Sequence, residues 1–308
     1  MPSTYRTFTG YQNKKLNTKQ WLPDEGLPRA VVLIVHGLAE HLERYNHFAK
    51  FLASHQIAAI AYDHRGHGHT DPGSLGYIDD ELGFDLLVED LRFVYEEAQN
   101  SFPELPLILF GHSMGSFITQ RFMQLSKHQP AGLIYSGSNG KPPLSLYAGI
   151  HVAALIKKIY GPKHRSKFIH DLVFGAYNKK FKPNRTESDW LSRDETMVDL
   201  HQDDPKCGFI STISLYHQLF SELIKMHAHQ SFASHDSTIP VMLISGSRDP
   251  VSNMGKGIHN LERLLLSSGV KMVAKKLYPE GRHEMLNETN RDEVMNDILE
   301  WIQQYIFT

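Results

Sequence analysis

The sequence predicts an α/β fold, a mostly parallel central sheet flanked by helices, with a helical lid inserted late in the chain. Three observations predict it. Short apolar runs rich in β-branched residues recur along the chain, each stopped by a small or polar residue. That is how a strand buried on both faces reads. Segments with apolar residues at helical spacing lie between the runs, and strands alternating with helices imply right-handed βαβ units. Finally, one long interval separates the fourth of these runs from the next, far more chain than a crossover helix needs.

Taken in order, the first 28 residues suit an antiparallel hairpin at the sheet edge. Ala30–Val35 (AVVLIV) is stopped by His36-Gly37, and Ile57–Tyr62 (IAAIAY) ends at Asp63. Residues 106–110 (PLILF) end at Gly111, 131–136 (AGLIYS) form a weaker case, and 240–245 (PVMLIS) end at Gly246. Residues 272–278 alternate. Helices are expected at 47–55, at 84–98, where Leu87, Leu91, Val94 and Ala98 recur at spacings of four and three, at Met114–Leu125, near 261–266 and at 294–306. The domain reading follows: 1–137 and 237–308 form the core, and 138–236 an inserted helical lid. The lid opens with the apolar stretch 144–159.

The 308 residues are 41% hydrophobic and 21% charged, ordinary for a folded chain with a sizeable core. A net charge of −2 argues against nucleic acid as a partner. The single cysteine, Cys207, excludes an intramolecular disulfide, and its acidic neighbours Asp203 and Asp204 argue against a reactive thiolate. The polar N-terminus lacks the apolar centre of a secretory signal, and no stretch is long enough to span a bilayer. The expected location is cytoplasmic, with peripheral contact at a membrane surface through the lid.

Gly111-His112-Ser113-Met114-Gly115 matches G-x-S-x-G. The motif directly follows a buried strand and precedes a helix, which is the context of a nucleophile elbow. The glycines leave room for a strained turn, and the serine stands at a helix N-terminus that favours developing negative charge. A serine hydroxyl needs a base in reach, and the base an orienting acid. On such a sheet the acid and then the histidine follow later strands. Asp249 comes after 240–245 and Gly246-Ser247-Arg248, and His283 after 272–278 and Pro279-Glu280-Gly281-Arg282. Asp236 is the alternative carboxylate, but it precedes its strand. Backbone amides of Met114 and Leu38 are the expected oxyanion donors, and His36 is expected to tether the loop. The histidines of Asp63-His64-Arg65-Gly66-His67-Gly68-His69 invite a zinc reading. No CxxC or HExxH pattern supports it, and the glycines fit a tight loop. No nucleotide-binding glycine motif stands at a strand–helix junction, so neither a metal nor a cofactor is implied.

HGLAEH (36–41), YDHRGHG (62–68), GHSMGS (111–116), SGSRDPV (245–251) and EGRHEMLNE (280–288) occur in this order. Together they resemble the monoacylglycerol lipase and lysophospholipase branch of the α/β-hydrolases, over roughly residues 10–306 apart from most of the insertion. The resemblance implies an eight-stranded sheet, a helical lid and a fatty acyl ester substrate. It also carries the triad to Ser113, Asp249 and His283 and the oxyanion donors to Leu38 and Met114. Two places depart from the branch. The segment His201-Gln202-Asp203-Asp204-Pro205 has no tyrosine two or three residues before its Asp-Pro, and His69-Thr70 replaces a basic residue followed by serine.

The leading function is a serine carboxylester hydrolase acting on single-chain acyl esters, such as monoacylglycerols or lysophospholipids. Leu144, Leu146 and Ile150 of the lid are the expected acyl-binding residues. Two alternatives are weighed. A prolyl-aminopeptidase-like peptidase would carry a Gly-Gly-rich loop after His-Gly, where this chain has Leu38-Ala39-Glu40. A non-catalytic receptor on the same fold is the other, although all three triad residues are present.

Overall fold

The computed structural model describes residues 3–227 and 237–307. Strands β1 (Ser3–Thr9) and β2 (Lys15–Trp21) form the expected hairpin, and β2 continues antiparallel onto β4 (Ile57–Tyr62). From there the sheet is parallel through β3 (Ala30–Val35), β5 (Leu107–His112), β6 (Gly132–Ser136), β7 (Val241–Gly246) and β8 (Val273–Tyr278). The order is β1-β2-β4-β3-β5-β6-β7-β8. The chain steps from β3 outward to β4, then returns to the other side of β3 for β5. The winding reverses between β3 and β5, and ligands of open α/β sheets sit at the carboxyl ends of such strands.

The continuous apolar runs are explained by two packed faces. On β3, Val31, Leu33 and Val35 join one core cluster, while Ala30, Val32 and Ile34 join the other. The first cluster takes helices Gly83–Ser101, Met114–Leu125 and Lys256–Ser267 through Leu91, Ile118 and Leu261. The second takes Asn46–Ser54 and Arg291–Tyr305 through Phe48, Leu52, Ile298 and Ile302. Each fully buried side chain of this size contributes about 1.5–3 kcal/mol. The helix expected near 261–266 begins earlier, at Lys256, because Ile258 completes the buried face with Leu261 and Leu265.

Between β6 and β7 lie helix Leu144–Tyr160, an irregular helical stretch over 167–181, and helices Glu195–Asp203 and Ile213–Met226. The last of these is shared. Leu219 and Met226 enter the first core cluster, whereas Ile213, Tyr216 and Phe220 pack with Ala153 and Ile169 in a third cluster. No described helix is long and apolar enough to cross a membrane.

Candidate active site

Ser113 follows β5 and heads helix Met114–Leu125 with φ 51° and ψ −119°, a left-handed conformation costly for a residue with a side chain. The flanking glycines make it sterically feasible. A Cβ on Gly115 would stand 2.0 Å from the Val35 carbonyl oxygen, and one on Gly111 2.7 Å from that of Gly115. The turn is held by the Ser113 amide donating to the Ser136 carbonyl at 2.9 Å. Met114 opens the helix, so its amide has no acceptor one turn back. The Leu38 amide finds no acceptor among the described residues.

Asp249 and His283 meet across two loops, His283 Nδ1 donating to Asp249 Oδ1 at 3.0 Å. Asp249 is fully buried and also accepts from Ser245 Oγ at 2.9 Å and the Val251 amide at 2.8 Å. Those donors fix the carboxylate, and the carboxylate fixes the ring. Trp190 and His112 flank that ring at centroid distances of 5.0 and 4.7 Å. Burial pushes the His283 pKa down, but the Asp249 carboxylate and its hydrogen bond, helped by Glu284 and Glu40, outweigh it and leave the pKa raised. Burial, with His283 beside it, holds His112 down at about 4, and burial with Arg44 holds His201 at about 4. Near neutral pH those two are uncharged.

Ser113 and His283 share the wall of a cavity of about 200 Å³. Leu38, Phe174, Trp190 and Leu191 give it apolar surface, and Glu187, Ser188 and Gln202 a polar side. His201 also lies on this wall, so both positions at which a lid tyrosine was expected, 201 and 202, face the cavity. Three expected residues do not. Leu144 is 84% exposed, and Leu146 and Ile150 pack behind Leu38 in the third cluster. The helix carrying them turns its buried side to Phe220 and Tyr216, so the expected acyl-binding residues Leu144, Leu146 and Ile150 are not among those lining the cavity, whereas Phe174, Trp190 and Leu191 are. Asp236 lies outside the described residues.

A buried ionic wall behind the cavity was not read from the sequence. Arg44 Nη2 donates to Glu284 Oε2 at 2.6 Å, and its Nη1 donates to Glu284 Oε1 and to Glu40 Oε2. Glu40 also accepts from Tyr45 Oη at 2.9 Å and from the Gly37 amide, next to Leu38. Burial opposes the Glu284 charge, yet Arg44 holds its carboxyl well below the usual range. Its one signal in the sequence is the glutamate directly after His283. The histidine-rich loop is structural in geometry. His64 Nε2 donates to the His36 carbonyl at 3.0 Å, His67 Nδ1 to the Arg65 carbonyl at 2.8 Å, and His36 Nε2 accepts from the His64 amide at 3.0 Å.

A switch-point cleft, a strained serine on a strand-to-helix turn and an Asp–His pair from later strands define an α/β-hydrolase. The chain belongs to the Hydrolase_4 family, described as serine aminopeptidase, S33, whose model matches residues 26–290. The chain is similar over nearly its whole length to monoglyceride lipases. It is 27% identical to the monoacylglycerol lipase of Mycolicibacterium smegmatis over 97% of both chains. It is 27% identical to the human monoglyceride lipase over 94% of this chain and 85% of that one. Among solved structures, a thermostable carboxyl esterase from Bacillus coagulans in complex with glycerol superposes with a TM-score of 0.89, at 27% identity and 99% coverage of both chains.

Proposed function

We propose that this chain hydrolyses single-chain acyl esters, monoacylglycerols foremost, through an acyl-enzyme on Ser113. The observation that carries the reading is that Leu38, Ser113 and His283 line one cavity, with Asp249 hydrogen-bonded to His283 and Met114 directly following Ser113. Ser113 Oγ attacks the ester carbonyl while His283 Nε2 takes its proton. The Leu38 and Met114 amides stabilise the oxyanion. His283 returns the proton to the leaving alcohol, and Asp249 keeps the ring in the Nδ1–H tautomer. A water, deprotonated by the same His283, then releases the fatty acid.

The cavity is smaller than the roughly 300–1,000 Å³ of common ligand pockets. It suits the ester and its polar head, and a long acyl chain requires the inserted helices to move aside. We read residues 138–236 accordingly, as a cap. Its outer surface exposes Leu155, Ile159, Tyr160 and Phe168, with the cations Lys158 and Lys163 nearby. An apolar ridge bordered by lysines suits an anionic lipid surface, where such substrates reside.

Hydrolysis of 4-nitrophenyl esters from acetate to palmitate, by wild type and Ser113→Ala, tests the reading. Activity confined to wild type and favouring medium or long chains supports it, whereas activity surviving Ser113→Ala overturns it. Two observations favour a peptidase: the serine aminopeptidase description of the matching family, and Glu187 on the cavity wall, where an acid would hold a substrate amine. Cleavage of aminoacyl 4-nitroanilides in preference to esters would establish that alternative.

A further inference from the structure

Beside the loop that carries Leu38 lies a group of side chains with no part in the proposed hydrolysis. His41 and Cys207 are buried, 4% and 9% exposed. Asp204 brings Oδ2 to 2.7 Å from His41 Nε2. A ring nitrogen of His41, a carboxylate oxygen of Asp204 and the Cys207 sulfur all lie within 4.8 Å of one another. His41 Nδ1 has no hydrogen-bond partner, although it is shut off from water.

We propose that His41, Asp204 and Cys207 form a binding site for a thiophilic divalent cation of the zinc type, with its fourth position open to the substrate cavity. One nitrogen, one oxygen and one sulfur suit tetrahedral zinc, and soft thiolate ligation selects against magnesium and calcium. Charge favours it as well. A neutral imidazole, one carboxylate and one thiolate balance the two charges of the ion, so the largely buried group carries no net charge. Arg44, the nearby cation, is already engaged by Glu284 and Glu40. The entry path is the cavity itself, whose wall includes Cys207 and Gly208. Binding exchanges the thiol proton for the ion, so one proton leaves for each ion bound.

The site is tied to the catalytic loop. The Gly208 amide donates to the Ala39 carbonyl at 2.9 Å, and Ala39, with φ 55°, lies between Leu38 and His41. An ion held from both sides of that bond fixes the loop that presents the Leu38 amide and narrows the cavity. The bound form is therefore a slowed form of the enzyme.

The test uses the full chain and Cd²⁺ alone, followed by near-ultraviolet thiolate-to-metal absorption. The chain has one cysteine, so any thiolate band reports Cys207 however many of the 19 histidines bind metal elsewhere. The expected result is a band saturating at one ion per chain, displaced by Zn²⁺, with one proton released per ion. His41→Gln and Asp204→Asn should each weaken the affinity by about 10-fold or more, at least what loss of an outer-shell partner costs. Thermal melts confirm that each variant is folded, and Asp204→Ser replaces Asp204→Asn if that variant is not. Absence of the band, or unchanged affinity in either variant, overturns the site. This readout does not depend on ester hydrolysis. Zn²⁺ should slow hydrolysis at the concentrations that displace Cd²⁺, and a different midpoint would assign the inhibition to another place.

Discussion

At the scale of single residues, the proposed chemistry rests on one imidazole kept basic among others kept neutral. Ser113→Ala should lower kcat by about 10⁴-fold or more, and Asp249→Asn by about 10⁴-fold, in a 4-nitrophenyl ester assay on folded protein. The base must be unprotonated to accept the serine proton. Because the His283 pKa lies above 6.5, kcat/KM should fall as pH drops through that raised value. Glu284 is one of the charges that raise it. Glu284→Gln should therefore move the acid limb of the pH profile to lower pH, and a limb that does not move would remove Glu284 from that role.

Elements are where sequence and structure can be compared most directly. The strands β3, β4 and β5 were legible because packing on both faces leaves no polar position to obscure the run. The β1–β2 hairpin was legible only as a suggestion, because most of β1 faces water and gives no clean alternation. The stretch 167–181 changes helix type several times, so it has no single period to find. In the site, Ser113, Asp249 and His283 were readable because each ends a strand and its short loop. Arg44 and Glu284 were not, being 240 positions apart, and His41 and Asp204 are 163 apart. Leu144, Leu146 and Ile150 were expected at the cavity and do not line it, because an apolar helix does not reveal which neighbour takes its face. Two helical glycines separate steric need from propensity. Gly115→Ala should destabilise by about 3 kcal/mol in urea melts, since its methyl meets the β3 backbone. Gly149→Ala should stabilise by about 0.5–1 kcal/mol, because the nearest atom to its methyl is 3.8 Å away, on Phe220.

Over the whole molecule, stability and acid response share one buried pair. The Glu284 carboxyl titrates below its ordinary 4.5 in the fold, so the unfolded chain binds more protons there as pH falls. Its contribution is complete above pH 4.5 and is lost as pH falls through the lowered value. Arg44→Met strands the carboxylate and should cost about 3–5 kcal/mol near neutral pH, with a flatter loss of stability below pH 4.5. Urea unfolding of both proteins from pH 3 to 7 checks the size and the slope. The apolar ridge has its own measurement. Leu155→Asp with Ile159→Asp should reduce sedimentation with anionic vesicles while leaving the melting temperature unchanged, because both side chains face outward.

The sheet ends in β1 on one side and β8 on the other, each hydrogen-bonded to a single neighbour. Such rims can recruit a ninth strand from another chain. Here β1 carries Arg6 facing water. On β8, Lys275 pairs with Glu262, and Lys276 with Asp297. An incoming strand would have to strip these cations of water and of their partners. The polar rims therefore act as guards against strand-to-strand polymerisation, keeping a chain so rich in β-branched apolar segments from seeding fibrous aggregates while it is folded.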